Sequence, residues 1–336
     1  MAMTHADQDA DRPLLRVADL VVEYHTRAGT VHAVSGVSFE LDRGETLGVV
    51  GESGCGKSTM ARSILQMPRP LSGTVEFDGT DLTRLPGSSL RRLRPELQMV
   101  FQDPVSSLNP RRKIRQIVAE PLTIWRRGTR AERAAKAEEM LRAVGLDPAD
   151  YGDRHPTELS GGQCQRVAIA RALVAGARLL VCDEPVSSLD VSLRATVLNL
   201  IEDLRERFDL AVLFIAHDLA VVKNVSDRVM VMYLGKVVEI AGAGELYSRP
   251  AHPYTLALLN SVPRPDPGAR RPEGVVAGDP PSPVDPPSGC RFRTRCAMAN
   301  DVCAREEPPL TAIRPGHAVA CHFPLQAADL SRQPEA

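Results

Sequence analysis

The sequence predicts an α/β fold, a parallel sheet covered on both faces by helices, and three observations carry that expectation. In the second half, short apolar runs at 179–182 (LLVC) and 211–216 (AVLFIA) alternate with helical stretches at 166–174 and 191–208. Strands buried on both faces read as unbroken apolar runs of this kind. Near the start, the apolar run 45–50 (ETLGVV) meets a glycine-rich turn and then 60–65 (MARSIL), whose spacing suits a helix. Before it, residues 14–41 alternate apolar and polar over short runs, LLRVADLVVEY and VSFELDRG, and read as antiparallel strands opening the domain.

The elements between follow in order. Residues 74–77 lead to a turn at Asp78-Gly79, and 97–101 (LQMVF) is a further apolar strand ending at Gln102-Asp103-Pro104. From 114 to 144 apolar positions recur three and four apart, through RQIVAEPL and RAERAAKAEEMLRAV up to Gly145, so a helical subdomain is expected over about 105–175. Residues 228–239 (RVMVMYLGKVVE) read as a hairpin turning at Gly235. Nine prolines between 263 and 287 mark an extended linker, and the chain is expected to fray from about 326.

Charge excludes some functions. Lys+Arg 41 against Asp+Glu 42 leaves a net charge of −1, so no basic field draws the protein to nucleic acid or anionic lipid. No apolar run approaches the ~20 residues that cross a bilayer, and the polar start MAMTHADQDADR is unlike a signal peptide. A cytoplasmic location is expected, where the seven cysteines are reduced, metal-bound or incidental rather than disulfide-paired.

The glycine-rich turn carries the chemistry. Gly51-Glu52-Ser53-Gly54-Cys55-Gly56-Lys57-Ser58-Thr59 fits G-x-x-x-x-G-K-[ST], between a strand and a helix as that pattern requires. Its glycines let successive N–H groups turn inward on an anion, and the helix N-terminus behind adds its dipole. Lys57 is placed for the β- and γ-phosphates of a nucleotide, and the Ser58 hydroxyl for the Mg²⁺ that bridges them. The strand 179–182 delivers Asp183 and Glu184 at its C-terminal end, where ligands sit in open α/β sheets. Asp183 suits Mg²⁺, and Glu184 suits orienting or deprotonating the water that attacks the γ-phosphate; a plain surface turn is the alternative. His217, directly after 211–216, would point into the same crevice toward the γ-phosphate, although alone it reads as a loop residue. Leu159-Ser160-Gly161-Gly162-Gln163 opens a helix and forms a second anion-binding N-terminus. With no second phosphate loop in the chain, this surface is expected to close over a nucleotide held by another subunit. Tyr24 by itself reads as a half-buried strand residue.

In order, GESGCGKST, the Gln102 loop, LSGGQ, LLVCDEP, Ser187-Ser188-Leu189-Asp190 and His217 resemble the nucleotide-binding subunit of ABC transporters, over residues 14 to about 245. The resemblance implies a P-loop NTPase fold of the ABC ATPase type over 13–245, with an antiparallel β subdomain and a helical subdomain, and a small extension over 246–325. It implies two subunits sandwiching two ATP molecules with Mg²⁺, each ATP between the phosphate loop of one and the LSGGQ of the other. By it Tyr24 stacks on adenine, Gln102 touches Mg²⁺ and the water, and Asp190 lines the dimer interface. Ser160, Gly161, Gly162 and Gln163 then meet the partner's ATP, while Glu184, His217 and Gln102 serve hydrolysis. Cys164 departs from the basic or polar residue common after LSGGQ and reads as neutral.

A narrower resemblance, to the oligopeptide and dipeptide importer branch, lies in Phe101-Gln102-Asp103-Pro104 running into Ser107-Leu108-Asn109-Pro110-Arg111, and in Arg249-Pro250-Ala251-His252-Pro253-Tyr254-Thr255 before the prolines. It implies an ATPase at the cytoplasmic face of the plasma membrane powering import of oligopeptides, dipeptides or related small solutes. Its partners would be a second, different ATPase subunit, two permeases and an extracytoplasmic solute-binding protein. Two non-transport readings compete. A DNA-repair or chromosome-organising ATPase needs a long coiled-coil insertion between the phosphate loop and LSGGQ, where only short helices are read, and an iron–sulfur assembly ATPase leaves the C-terminal cysteines unexpected.

Cys290, Cys296, Cys303 and Cys321 are spaced C-x5-C-x6-C-x17-C, a set that suits zinc or an iron–sulfur cluster. The importer resemblance implies a [4Fe–4S] cluster ahead of zinc; unliganded cysteines in a mobile tail are the plain alternative. Arg291, Arg293 and Arg295 read as a solvated face or as an offset to thiolate charge, and Cys55 and Cys182 as small buried residues.

Overall fold

The computed structural model describes residues 12–261 and 278–326, so most of the expected proline-rich linker and the expected frayed end lie outside the described residues. The chain divides into two compact units.

One unit comprises Leu41–Glu45 and Arg84–Ile215 with the described residues before Leu15. It holds three parallel strands, Leu97–Val100, Leu179–Asp183 and Ala211–Ile215, with Val100 opposite Cys182 and Asp183 opposite Ile215. Every residue of the last two strands is buried, which is why they are apolar without alternation. The expected helical region contains Ile114–Ile124, Arg130–Ala143 and Gly161–Leu173, which pack on one another. Thr129 starts the second with a capping box to Glu132. The third buries residues all round, Cys164, Val167, Ile169 and Ala170 among them, as an interior helix must. Its long neighbour Val191–Phe208 has the bounds read from the sequence.

The other unit comprises Leu15–Glu40, Thr46–Thr83 and the described residues from Ala216 onward. Its first sheet runs Gly29–Leu41, Leu15–Thr26, Ser72–Phe77, Thr80–Asp81, and Leu15 and Val17 lie opposite Phe77 and Val75 in antiparallel register. In a second sheet Thr46–Val50 pairs parallel with Arg228–Tyr233, which turns at Leu234-Gly235 into the antiparallel strand Lys236–Gly242. Two strands the sequence did not announce continue it: His317–Val319 pairs with Lys236–Gly242, and Thr311–Arg314 pairs outside that. At three and four residues they are too short to show a period.

One buried carboxylate fastens the far end of this unit. Glu239 accepts hydrogen bonds from the Ala251 N–H (2.7 Å), the His252 N–H (2.9 Å) and His317 Nε2 (2.8 Å), which offsets the cost of burying its charge. His252 Nδ1 in turn accepts from the Tyr254 N–H at 3.0 Å and starts the helix Pro253–Asn260. Burial lowers the His252 pKa to about 4, so its ring is neutral with the proton on Nε2. The His252-Pro253-Tyr254 segment therefore has a structural reason: it ties a histidine, a helix start and the aromatic cluster Tyr233, Tyr254 and Phe292 to one strand.

Candidate functional site

The phosphate loop lies between Thr46–Val50 and the helix Lys57–Ile64. Two of its glycines are dictated by crowding. A Cβ on Gly51 (φ 153°) would fall 2.2 Å from the Met232 carbonyl oxygen, and one on Gly56 (φ 103°) 2.1 Å from that of Ala33. Lys57, 5% exposed, donates from Nζ to the carbonyls of Gly51 (2.7 Å) and Glu52 (2.9 Å), which holds the ammonium inside the curl of the loop. Ser53 and Gly54 form its exposed tip, and Ser58 and Thr59 occupy the first turn of the helix. Cys55 is buried as read, and burial, partly opposed by Lys57, raises its pKa so that it remains a thiol. In the same unit Tyr24 is 39% exposed on its strand, more open than a half-buried residue, and His217 is exposed.

In the other unit Asp183, 3% exposed, ends its strand, and Glu184 follows at φ 50° with its N–H donating to the Ile215 carbonyl at 3.0 Å. A non-glycine residue in this left-handed region costs about 1–2 kcal/mol, and such strain gathers at active sites. Gln102 Nε2 donates to Glu184 Oε2 at 3.2 Å, so two residues singled out 82 positions apart meet. The LSGGQ helix begins at Gly161, so the helical stretch read over 166–174 starts five residues earlier, inside LSGGQ itself. Ser160 and Gln163 form its capping box, Oγ accepting from the Gln163 N–H (3.3 Å) and Oε1 from the Ser160 N–H (2.9 Å). Gly161 is exposed, whereas Gly162 faces Leu193, where a Cβ would stand at 3.4 Å. Asp190 is exposed at the start of Val191–Phe208, and Cys164 is fully buried.

Cys290, Cys296, Cys303 and Cys321 line one cavity, together with His252 and Phe292. Burial pushes the Cys321 thiol up to about 11, and its three fellow cysteines add to the shift. Among the described residues no three or more of His, Cys, Asp and Glu are grouped so as to hold a metal ion. The reading of the interleaved arginines as a solvated face is corrected for Arg291 and Arg295. Arg295 Nη1 and Nη2 donate to Glu52 Oε2 (2.8 Å) and Oε1 (3.0 Å), and Arg291 donates to the Leu234 carbonyl and to Ser35 Oγ (2.9 Å). Sequence reasoning missed these contacts, and Tyr254 Oη accepting from the Glu52 N–H (2.9 Å), because partners 57 to 256 positions away leave no local pattern.

Two family models match this chain: ABC transporter over residues 34–187, and oligopeptide/dipeptide transporter C-terminal region over 238–303. The putative peptide import ATP-binding protein of Brucella ovis is 50% identical over 311 residues, 93% of this chain and 98% of that one. The chain belongs to the ABC transporter ATP-binding proteins, in the oligopeptide/dipeptide branch. The oligopeptide transport ATP-binding protein AppF of Bacillus subtilis is likewise 50% identical, over 89% of this chain and 92% of its own. Among solved structures, the dimeric post-hydrolysis ATP-binding cassette MJ0796 bound to ADP and phosphate matches with TM-score 0.62 at 28% identity, over 68% of this chain and 98% of that one. This ABC protein is an ATPase, and both family models that match it are transporter models. None of the descriptions quoted above names an iron–sulfur cluster, and no helix among the described residues is long and apolar enough to cross a membrane.

Proposed function

We propose that this ABC ATPase powers uptake of oligopeptides or dipeptides from the cytoplasmic face of the plasma membrane. It would work beside two permeases, a second and different ATPase subunit, and an extracytoplasmic solute-binding protein. The observation that carries the reading is the match of residues 238–303 to the oligopeptide/dipeptide C-terminal region on a chain half identical to peptide-import relatives. The ATPase domain spans 13–245 and the importer-type extension 246–325.

The residues present fit Mg-ATP: a cradle of amides kept open by glycines, a lysine inside it and a strained glutamate elsewhere in the chain. Gly51, Ser53, Gly54, Cys55, Gly56, Lys57, Ser58 and Thr59 hold the phosphates, and Tyr24 offers its exposed ring to adenine. Ser58, Asp183 and Gln102 serve Mg²⁺. Glu184 accepts the proton of the attacking water, His217 steadies the γ-phosphate, and Gln102 links the water to the permeases. Ser160, Gly161, Gly162 and Gln163 face the ATP of the partner subunit, and Asp190 lies at that interface. Binding of two nucleotides closes the pair, and loss of the γ-phosphate reopens it.

Four cysteines lining one cavity would be the ligands of a [4Fe–4S] cluster, which the importer branch implies ahead of zinc. His252 Nε2 lines the same cavity, buried and with no hydrogen-bond partner among the described residues, a donor suited to a cluster sulfur. Bound there, the cluster would clip three stretches of chain together. Reconstitution with the cognate permeases tests the function: ATP-dependent uptake of a labelled peptide supports it, and uptake of nickel or a sugar in its place overturns the peptide assignment.

A further inference from the structure

We propose that Arg295 is a positioning residue of the nucleotide site, holding the first turn of the phosphate loop through Glu52. The proposal rests on that loop being the ATP site. Glu52 is the second residue of the loop, and it is anchored three ways. Its carboxylate takes both forks of Arg295 at 2.8 and 3.0 Å, its N–H donates to Tyr254 Oη at 2.9 Å, and its carbonyl accepts from Lys57 Nζ at 2.9 Å. A planar bidentate pair fixes orientation as well as distance. The pair is sheltered, with side-chain exposures of 7% for Arg295 and 26% for Glu52. The guanidinium lies over the Tyr233 ring, 5.8 Å from its centroid.

A second strut runs beside the first. Arg291 donates to the Leu234 carbonyl, and the next residue, Gly235, donates its N–H to the Cys55 carbonyl at 2.8 Å. Between the arginines, Phe292 packs its ring 5.2 Å from Tyr233 and 5.3 Å from Tyr254. The segment 291–295 thus supports the loop at Glu52 directly and at Cys55 through the hairpin turn.

Preorganised amides bind phosphate best when nothing must rearrange on binding. Replacing Arg295 with an uncharged residue frees the loop at Glu52 and leaves a carboxylate without its cation beside the phosphate cradle. Both effects fall on the β- and γ-phosphates and spare AMP, which has neither. A role confined to holding the C-terminal segment in place would show no such selectivity.

The test uses the full chain, with dissociation constants for MgATP, MgADP and AMP and amide exchange followed by mass spectrometry. Arg295→Met is expected to weaken MgATP and MgADP by about tenfold and to leave AMP within about twofold. Glu52→Gln combined with Arg295→Met should recover part of the loss, because the orphaned carboxylate is gone. By reciprocity, MgATP added to the wild-type chain should slow exchange in residues 290–296, and AMP should not. Should Arg295→Met fail to fold, that wild-type measurement decides alone. MgATP binding by Arg295→Met within twofold of wild type, or exchange at 290–296 indifferent to MgATP, overturns the proposal. A wild-type chain that binds no MgATP contradicts the nucleotide site itself and is distinguished by that first titration.

Discussion

The phosphate loop and the cysteine segment sit in the same compact unit, yet they encode their structure differently. In the loop, the conformation leaves a local trace: Gly51 and Gly56 stand at φ 153° and 103°, where glycine is favoured, and Lys57 closes on carbonyls five and six residues back. In the segment 290–296 the defining contacts are distant, Arg295 to Glu52 and Arg291 to Ser35, across 243 and 256 residues. A loop made by its own backbone announces itself as a motif. A segment made by docking does not.

Substitutions that separate chemistry from support sharpen this contrast. Lys57→Ala should have the largest effect on binding, about a hundredfold loss of MgATP affinity, because a charge-assisted phosphate contact of about 1.5–3 kcal/mol goes; equilibrium titration reads it. A residual affinity near wild type would mean that the lysine serves the fold of the loop. In the other region, Phe292→Ala should cost about 3–5 kcal/mol of stability, read as a lower denaturant midpoint. Binding of MgATP to the fraction still folded should fall far less than in Lys57→Ala.

Metal analysis breaks the comparison in another way. Protein purified without oxygen should carry iron and acid-labile sulfide near about four per chain, and Cys296→Ser should lose both while still binding MgATP. Zinc in its place would leave the ATPase standing with a structural metal site, and no metal would make the cavity a packing feature. The smallest effect concerns Cys55. Its pKa is raised, so alkylation at neutral pH should be slow and should quicken by about tenfold per pH unit as the thiolate fraction grows. Peptide mapping after maleimide treatment checks this, and MgATP should protect the site.

Much of the fold was legible because its signals are periodic or compositional. The buried strands at 179–183 and 211–215 and the helix Val191–Phe208 follow from apolar runs and helical spacing. Of the site, the phosphate loop and LSGGQ stood out because glycines and a cap residue leave a sequence trace, and Ser160 with Gln163 does form a capping box. Glu184 was found by its place after a strand, but its left-handed backbone was not, since nothing in a glutamate codes for it. The strands Thr311–Arg314 and His317–Val319 were missed because they are held by pairing, His317–Val319 to Lys236–Gly242 and Thr311–Arg314 to His317–Val319, rather than by their own pattern. Arg291 and Arg295 were misread because a solvated arginine and a buried one look alike in sequence.

The most direct test of the account is phosphate release by the assembled importer carrying Glu184→Gln. The account predicts MgATP affinity within about twofold of wild type and turnover reduced by about a hundredfold or more, since a general base contributes on the order of 10²–10⁴ in rate. Hydrolysis retained at the wild-type rate would contradict it, and would move the proton acceptor away from Glu184.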